Sequence, residues 1–198
     1  MIVLPTWPGA RKASPRVLDF GGIQEPNSGA ETQRHNKLGN RYGVAFEMPP
    51  LRSTAAEGLK WVNRLVRGQR EGARMEYPLL DFDPGTPGNF VVNGSGQAGT
   101  MLNIDGGAPF YAFQEGQPFH LSIGGHLYFD FIAADVTANG SGAATITLTQ
   151  MLRKPPIDGD ALEFVQPCIE GWVVGDQLGW ELALERNIGL AFEIHEAR

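Results

Sequence analysis

The stretch Pro118–Val165, PFHLSIGGHLYFDFIAADVTANGSGAATITLTQMLRKPPIDGDALEFV, decides the fold, because apolar-patterned runs alternate with turn residues along its whole length. Phe119 to Ile123 and His126 to Phe131 flank Gly124-Gly125, a two-residue loop with the positive-φ tolerance that a type I′ hairpin turn needs. That turn sets the register. With Ile123 facing His126, one face carries Phe119, Leu121, Ile123 and Tyr128, and the other carries Leu127, Phe129 and Phe131 with His120. Both faces hold large apolar groups, as in a small barrel or sandwich. The next turn falls at Asn139-Gly140-Ser141-Gly142, after which Ile146 and Leu148 alternate with Thr145, Thr147 and Thr149, the pattern of a half-buried strand with a hydroxyl face. Pro155-Pro156 and Asp158-Gly159 stop that run before Ala161 to Val165 resumes it. The whole stretch reads as an antiparallel meander.

Around it, composition narrows the possibilities. A chain of 198 residues is long enough for one large or two small cores. The single cysteine, Cys168, excludes an intramolecular disulfide and any multi-cysteine metal site, so the fold has to rest on packing and backbone pairing. Twenty-six Gly and 14 Pro favour many short strands and turns over long helices. No apolar run reaches membrane-spanning length, and MIVLPTWPGARK lacks a basic segment ahead of its short apolar patch, so a soluble, unsecreted product is expected. A net charge of -6 argues against general nucleic-acid binding. The charge is unevenly placed: 12 Lys and Arg against 7 Asp and Glu through Tyr77, then 4 against 15 from Pro78 onward, or +5 and -11. Such asymmetry suits two units and complementary contacts between copies, although two differently solvated surfaces explain it equally well.

In chain order, Pro5, Pro8, Gly9 and Pro15 make residues 1 to 15 an extended arm around Trp7, which needs somewhere to dock. Arg16 to Ile23 reads as a strand, and Glu31 to Asn36 with Arg41 to Met48 as a hairpin that puts Tyr42, Val44 and Phe46 on one face. A helix is expected from Thr54 to Arg67: Thr54-Ala55-Ala56-Glu57 forms a capping box, Ala55, Leu59, Val62, Leu65 and Val66 form an apolar stripe, and Gly68 is the stop. Glu57, Lys60, Arg64 and Arg67 lie opposite, with Trp61 flanking the stripe, so Trp61 beside arginines suits a protein interface, while each basic residue alone suits an ordinary solvated surface. Composition shifts near Pro84 and again near Gln166-Pro167. The closing strands, Glu170 to Val174 and Leu190 to His195, make most sense completing the sheet begun by residues 16 to 48. Residues 79–165 are then an insertion between two parts of a first domain, 1–78 and 166–198.

Several motifs suggest chemistry and lack its context. Gly94-Ser95-Gly96-Gln97-Ala98-Gly99 matches G-x-G-x-x-G, but only Thr100 to Asp105 separate it from Gly106-Gly107, too few for the helix that a pyrophosphate needs. The tetrapeptide NGSG recurs at Asn139, which favours a shared turn, and both copies are glycosylation sequons expected to stay unmodified without a signal peptide. The register sends His120 and His126 to opposite faces, and His35 and His195 have no neighbouring ligand pattern. Asp81 and Asp83, like Asp158 and Asp160, sit at turns where carboxylates bond the local backbone. Cys168 lies in an apolar run and reads as an inert thiol. No catalytic constellation, cofactor or metal site is expected.

From Phe119 to Phe164 the sequence resembles a known family. Gly125-His126-Leu127-Tyr128, then ADVTANGSGAATITL and LRKPPIDGDALE, are similar to the inserted β-domain of distal tail proteins of long-tailed, non-contractile bacteriophages and related gene-transfer particles. Val92 to Gly99, Met48-Pro49-Pro50-Leu51 with the following helix, and Gly179-Trp180 before Gly189 to Glu193 resemble further parts of that family, so the likeness spans most residues after about Arg41. The resemblance implies no catalytic residues. It implies a virion structural protein, assembled in the host cytoplasm into a homo-oligomeric ring, usually of six copies, that joins the tail tube protein to the tail hub protein. It also implies a mainly β, α+β architecture: a β-sandwich-like ring domain with one helix and an inserted, small antiparallel β-barrel of OB-like kind. No membrane and no sequence-specific nucleic acid is implied as partner. Tyr42, Trp61, Arg64 and Arg67 are the residues expected at the subunit interface. The alternative is a carbohydrate- or receptor-binding module using Tyr111, Phe113, Tyr128 and Trp172 as stacking platforms.

Overall fold

The ten-residue strand Asn187–Glu196 alternates inward and outward side chains along its whole length, so it can serve one core from end to end. The computed structural model describes residues 1–26, 29, 31–52, 56–175, 177–182 and 187–197. The C-terminal half of the long strand lies between Arg41–Glu47, paired from Ala191↔Glu47 to His195↔Gly43, and Cys168–Val173, paired from Gly171↔Glu196 to Val173↔Ile194. Its other half is flanked by Leu51–Arg52 and Trp180–Leu182. Lys12–Leu18 adds beyond Arg41–Glu47, while Ala73–Glu76 and then Ile2–Val3 add beyond Cys168–Val173, completing an eight-stranded sheet. The N-terminal arm therefore docks as a parallel edge. Pro15 sits in the opposite edge strand, where a residue without an N–H is tolerated. The pairing of Arg41–Glu47 differs from the expected local hairpin: its partner is Lys12–Leu18, and the segment between folds into a second short ladder, Gly22–Gln24 with Gln33–His35. Tyr42, Val44 and Phe46 do share the buried face.

One helix, Ala56–Glu71, covers that face. It buries Gly58, Trp61, Leu65 and Gly68, so the apolar stripe is rotated from the expected one, leaving Leu59 and Val66 exposed. The glycines account for the rotation. A Cβ on Gly58 would come within 2.7 Å of the Arg52 carbonyl and one on Gly68 within 3.1 Å of Ala73 Cβ, so the backbone approaches the sheet on the glycine side and brings the Trp61 indole inward. Gly68 is mid-helix; the stop is Gly72, at φ 79°, the left-handed C′ conformation that glycine adopts without a Cβ penalty. The capping box at Thr54 and Ala55 lies outside the described residues.

Residues 88–163 build a second set of strands. Pro118–Ile123 pairs with His126–Phe131 in the expected register, Ile123↔His126 through Pro118↔Phe131, across Gly124 and Gly125 at φ 59° and 82°. The meander stops there. Ala144–Thr147 pairs with Met101–Gly107 rather than with the preceding strand, and Leu162–Glu163 returns to Pro118–Ile123. Two three-stranded sheets result, 126–131/118–123/162–163 and 144–147/101–107/88–92, with single bridges at Val91↔Ala161 and Ile132↔Leu148 between them. A third, two-stranded ladder joins Ala112–Phe113 to Val136–Thr137. The described chain is thus mainly β with one helix.

Apolar side chains gather in two clusters. One contains Phe46, Trp61, Leu65, Ile169 and Ile194 between helix and sheet; the other contains Phe90, Leu102, Phe119, Ile146 and Phe164 between the smaller sheets. His126–Phe131 lies between them, sending Tyr128 into the second and Phe129 and Phe131 into the first. Its two apolar faces serve two different cores.

Candidate assembly surfaces and a buried seam

The residues expected at a subunit interface separate into two groups. Trp61 is 0% exposed: its ring packs 6.2 Å from that of Phe192, and its indole N–H donates to the Trp7 carbonyl at 3.3 Å. Tyr42 is 3% exposed, with its ring edge-on to Phe129 and Phe131 at 5.5 and 5.3 Å. Both side chains are spent inside their own chain, and neither is presented to another copy. This corrects the sequence expectation, which treated Trp61 as flanking because it counted only aliphatic residues in the stripe. Arg64 and Arg67 are exposed on the outer face of the helix beside Leu59 and Val66. Arg64 donates to the Val3 carbonyl at 2.9 Å, tying the N-terminal strand to the helix, and Arg67 pairs with Glu71 one turn on at 3.4 Å.

Groups that could carry chemistry are occupied structurally. His120 Nδ1 accepts the Cys168 N–H at 3.0 Å, and burial lowers its pKa to about 4, so the ring is neutral at neutral pH. Burial raises the Cys168 thiol to about 11, leaving little thiolate for nucleophilic attack. His126 Nδ1 lies 3.0 Å from Glu170, which also pairs with Arg74. Asp83 accepts from Gly85 N, Asp158 from Gly94 N, and Asp160 from Ile157 N, each holding a turn. The G-x-G-x-x-G segment leads into the strand Met101–Gly107 and not into a helix. Among the described residues no group of three His, Cys, Asp or Glu is placed to hold a metal ion, and no helix is long and apolar enough to cross a membrane. Of the suggested stacking platforms, Phe113 and Tyr128 are buried and the Tyr111 hydroxyl donates to the Pro84 carbonyl, whereas Trp172 is half exposed.

Among the described residues, three exposed surfaces of the first set of strands and its helix stand out. The first is an arm. Beyond the pairing of Lys12–Leu18 with Arg41–Glu47, the chain continues as Gly22–Gln24 against Gln33–His35, whose residues are exposed on both faces, with Ile23 on this ribbon and Val17, Phe20 and Leu38 at its base exposed to solvent. An isolated two-stranded ribbon of this kind is marginal alone. The second is the outer sheet face, where Trp172, His195, Gly43 and Arg16 stand in one cross-strand row and Arg16 pairs with Glu193. The third is the outer helix face with Leu59, Arg64, Val66 and Arg67.

Sequence reasoning missed the seam where the two cores meet. Glu196, 2% exposed, receives the Tyr42 N–H at 2.7 Å, the Phe129 N–H at 2.8 Å and both guanidinium arms of Arg153 at 2.6 and 2.8 Å. Beside it, the Asp130 carboxylate accepts from the Tyr42 hydroxyl at 2.9 Å, the Phe131 N–H at 2.8 Å and the Gln150 N–H at 3.2 Å. Burial outweighs these donors and raises Asp130 to about 6. Apart from the neighbouring Phe131 N–H, the partners lie 20 or more residues apart in sequence, so no local spacing announces the network.

No family model and no curated protein matches the chain.

Proposed function

We propose that the chain is a structural assembly protein whose copies close head-to-tail into a ring, at the distal end of a phage-type tail, between tail tube and tip hub. In this reading residues 1–78 and 166–198 are a β-sandwich-like ring domain, and 79–165 is an inserted, OB-like barrel in which the bridges Val91↔Ala161 and Ile132↔Leu148 seal two small sheets into one wall. The observation that carries it is the arm, a ribbon exposed on both faces with Ile23 on it and Val17, Phe20 and Leu38 exposed at its base, which would gain stability against a neighbour. The sequence likeness to distal tail proteins names the kind of assembly. The basic outer helix face and the acidic remainder of the chain favour heterologous contact over an isologous dimer, which would place like patches together.

Light scattering across a salt series tests it. The wild type should form an oligomer that weakens toward molar salt, where the Debye length falls to about 3 Å, and reversing Arg64 and Arg67 to Glu should lower the mass further. An unchanged oligomer in the double reversal removes the helix from the interface; deletion of 22–35 that leaves the oligomer intact removes the arm.

A second reading, a carbohydrate- or receptor-binding insertion, is favoured by one residue, Phe110. It is 71% exposed at φ 58°, a position that normally suits glycine, and its ring lies against Gly140. A glycan-array screen of wild type and Phe110→Ala separates the two: saturable binding lost in the variant supports it.

A further inference from the structure

The insertion is joined to the sheet by two irregular connections, 77–87 and 164–167. The outgoing one turns at Leu80 and Asp81, both at positive φ (45° and 67°), with Leu80 80% exposed. Covalent geometry of this kind does not orient a domain, so its position depends on the seam. There the ring contacts of Phe129 with Tyr42 and Tyr77, at 5.5 and 4.8 Å, are non-directional, and, although the Tyr42 hydroxyl also donates to Asp130 at 2.9 Å, most of the directional bonds converge on Glu196. That one carboxylate bonds the sheet through Tyr42 N and the insertion through Phe129 N and Arg153, while Arg153 also donates to the Phe129 carbonyl at 3.2 Å. Of the other polar contacts to the insertion, the Cys168 N–H reaches His120 at 3.0 Å, and His126 and the Gly125 carbonyl meet Glu170 and Arg74 at the hairpin tip, where His126 is half exposed.

We propose that Glu196 is the latch of a hinged insertion: paired with Arg153 and the Phe129 amide it clamps the insertion to the sheet, and when that pairing breaks the insertion swings on its two connections. A bidentate, desolvated Arg–carboxylate pair has no half-open state of comparable energy, because separating the partners leaves two buried charges unmatched until water reaches both. The clamp is therefore two-state, closed in the resting chain, and independent of how copies assemble.

Hydrogen exchange and a spin-label distance test it in the full chain. In Glu196→Gln and in Arg153→Met, the amides of Phe129 and Tyr42 should exchange about tenfold or more faster while Leu102 and Ile104, inside the insertion, keep wild-type protection. Labels at Leu59→Cys and Phe110→Cys, in a Cys168→Ser background, should give one narrow distance distribution for the wild type and a second, displaced one in both latch variants. Should either single variant fail to fold, the double variant Glu196→Gln/Arg153→Met, which buries no unmatched charge, takes its place. Equal loss of protection throughout the insertion, or a distance distribution that stays single and unmoved, overturns the latch.

Discussion

Replacing Phe129 by alanine tests the claim that one strand of the insertion belongs to the core of the sheet. The ring is 1% exposed and is surrounded by Tyr42, Tyr77 and Phe131 at centroid distances of 5.5, 4.8 and 5.1 Å. Deleting a fully buried phenylalanine costs about 3–5 kcal/mol, the transfer of the ring plus the cavity it leaves. For a chain of this size each kcal/mol lowers Tm by about 2–4 °C, so a fall of roughly 6–20 °C is expected by calorimetry. Phe164→Ala is the matched control, because Phe164 is equally buried but lies in the second cluster, 5.2 Å from Phe119. Hydrogen exchange then locates the damage. Phe129→Ala should loosen Arg41–Glu47 and Cys168–Val173 together with its own strand, and Phe164→Ala should loosen only 88–163. A Phe129→Ala protein that loses less than about 1 kcal/mol, or loses protection only within the insertion, refutes a shared core.

Other expectations follow from single sites. Trp61→Ala should cost about 3–5 kcal/mol in chemical denaturation, since the indole fills the space under the helix; a stable protein that merely fails to assemble would return Trp61 to an interface role. Asp130 binds its proton more tightly folded (pKa about 6) than unfolded (3.8), so its contribution is fully present below pH 3.8 and is lost as pH rises through 6. Asp130→Asn should accordingly gain stability relative to wild type between pH 3 and pH 7.5, by on the order of 3 kcal/mol, and a difference that does not vary with pH contradicts the burial argument. Gly171→Ala should prevent folding of the sheet, because its Cβ would overlap the His195 carbonyl; soluble protein with wild-type circular dichroism would contradict the close approach of these strands.

Much of this was legible in residues 118–131. A two-glycine turn has few geometries, so the hairpin register and both apolar faces followed from alternation alone, and the structure adds only that the faces enter two cores. Partners beyond the hairpin were not legible. Ile146 and Leu148 show burial but not that the neighbour is Met101–Gly107, because alternation reports a face and carries no information about which strand lies alongside. The helix stripe was misplaced for a related reason: Gly58 and Gly68 have no side chain to count, yet they mark where the backbone itself makes the contact, and the spacing Gly58-Trp61-Leu65-Gly68 is the signal that would have found it. Of the expected interface, the charged Arg64 and Arg67 are exposed and the aromatic Tyr42 and Trp61 are buried, as large rings generally are when a core is within reach. Glu196, Arg153 and Asp130 carry no sequence signal because nearly all their partners are brought together by the folded chain from distant segments.

Electron microscopy of the purified full chain across a concentration series at low salt tests the assembly reading most directly. The account expects closed rings of uniform rotational symmetry, with the insertions displayed outside the ring and the arms lying across neighbouring copies. Particles that remain monomeric at every concentration, or pair by a two-fold axis, would contradict it.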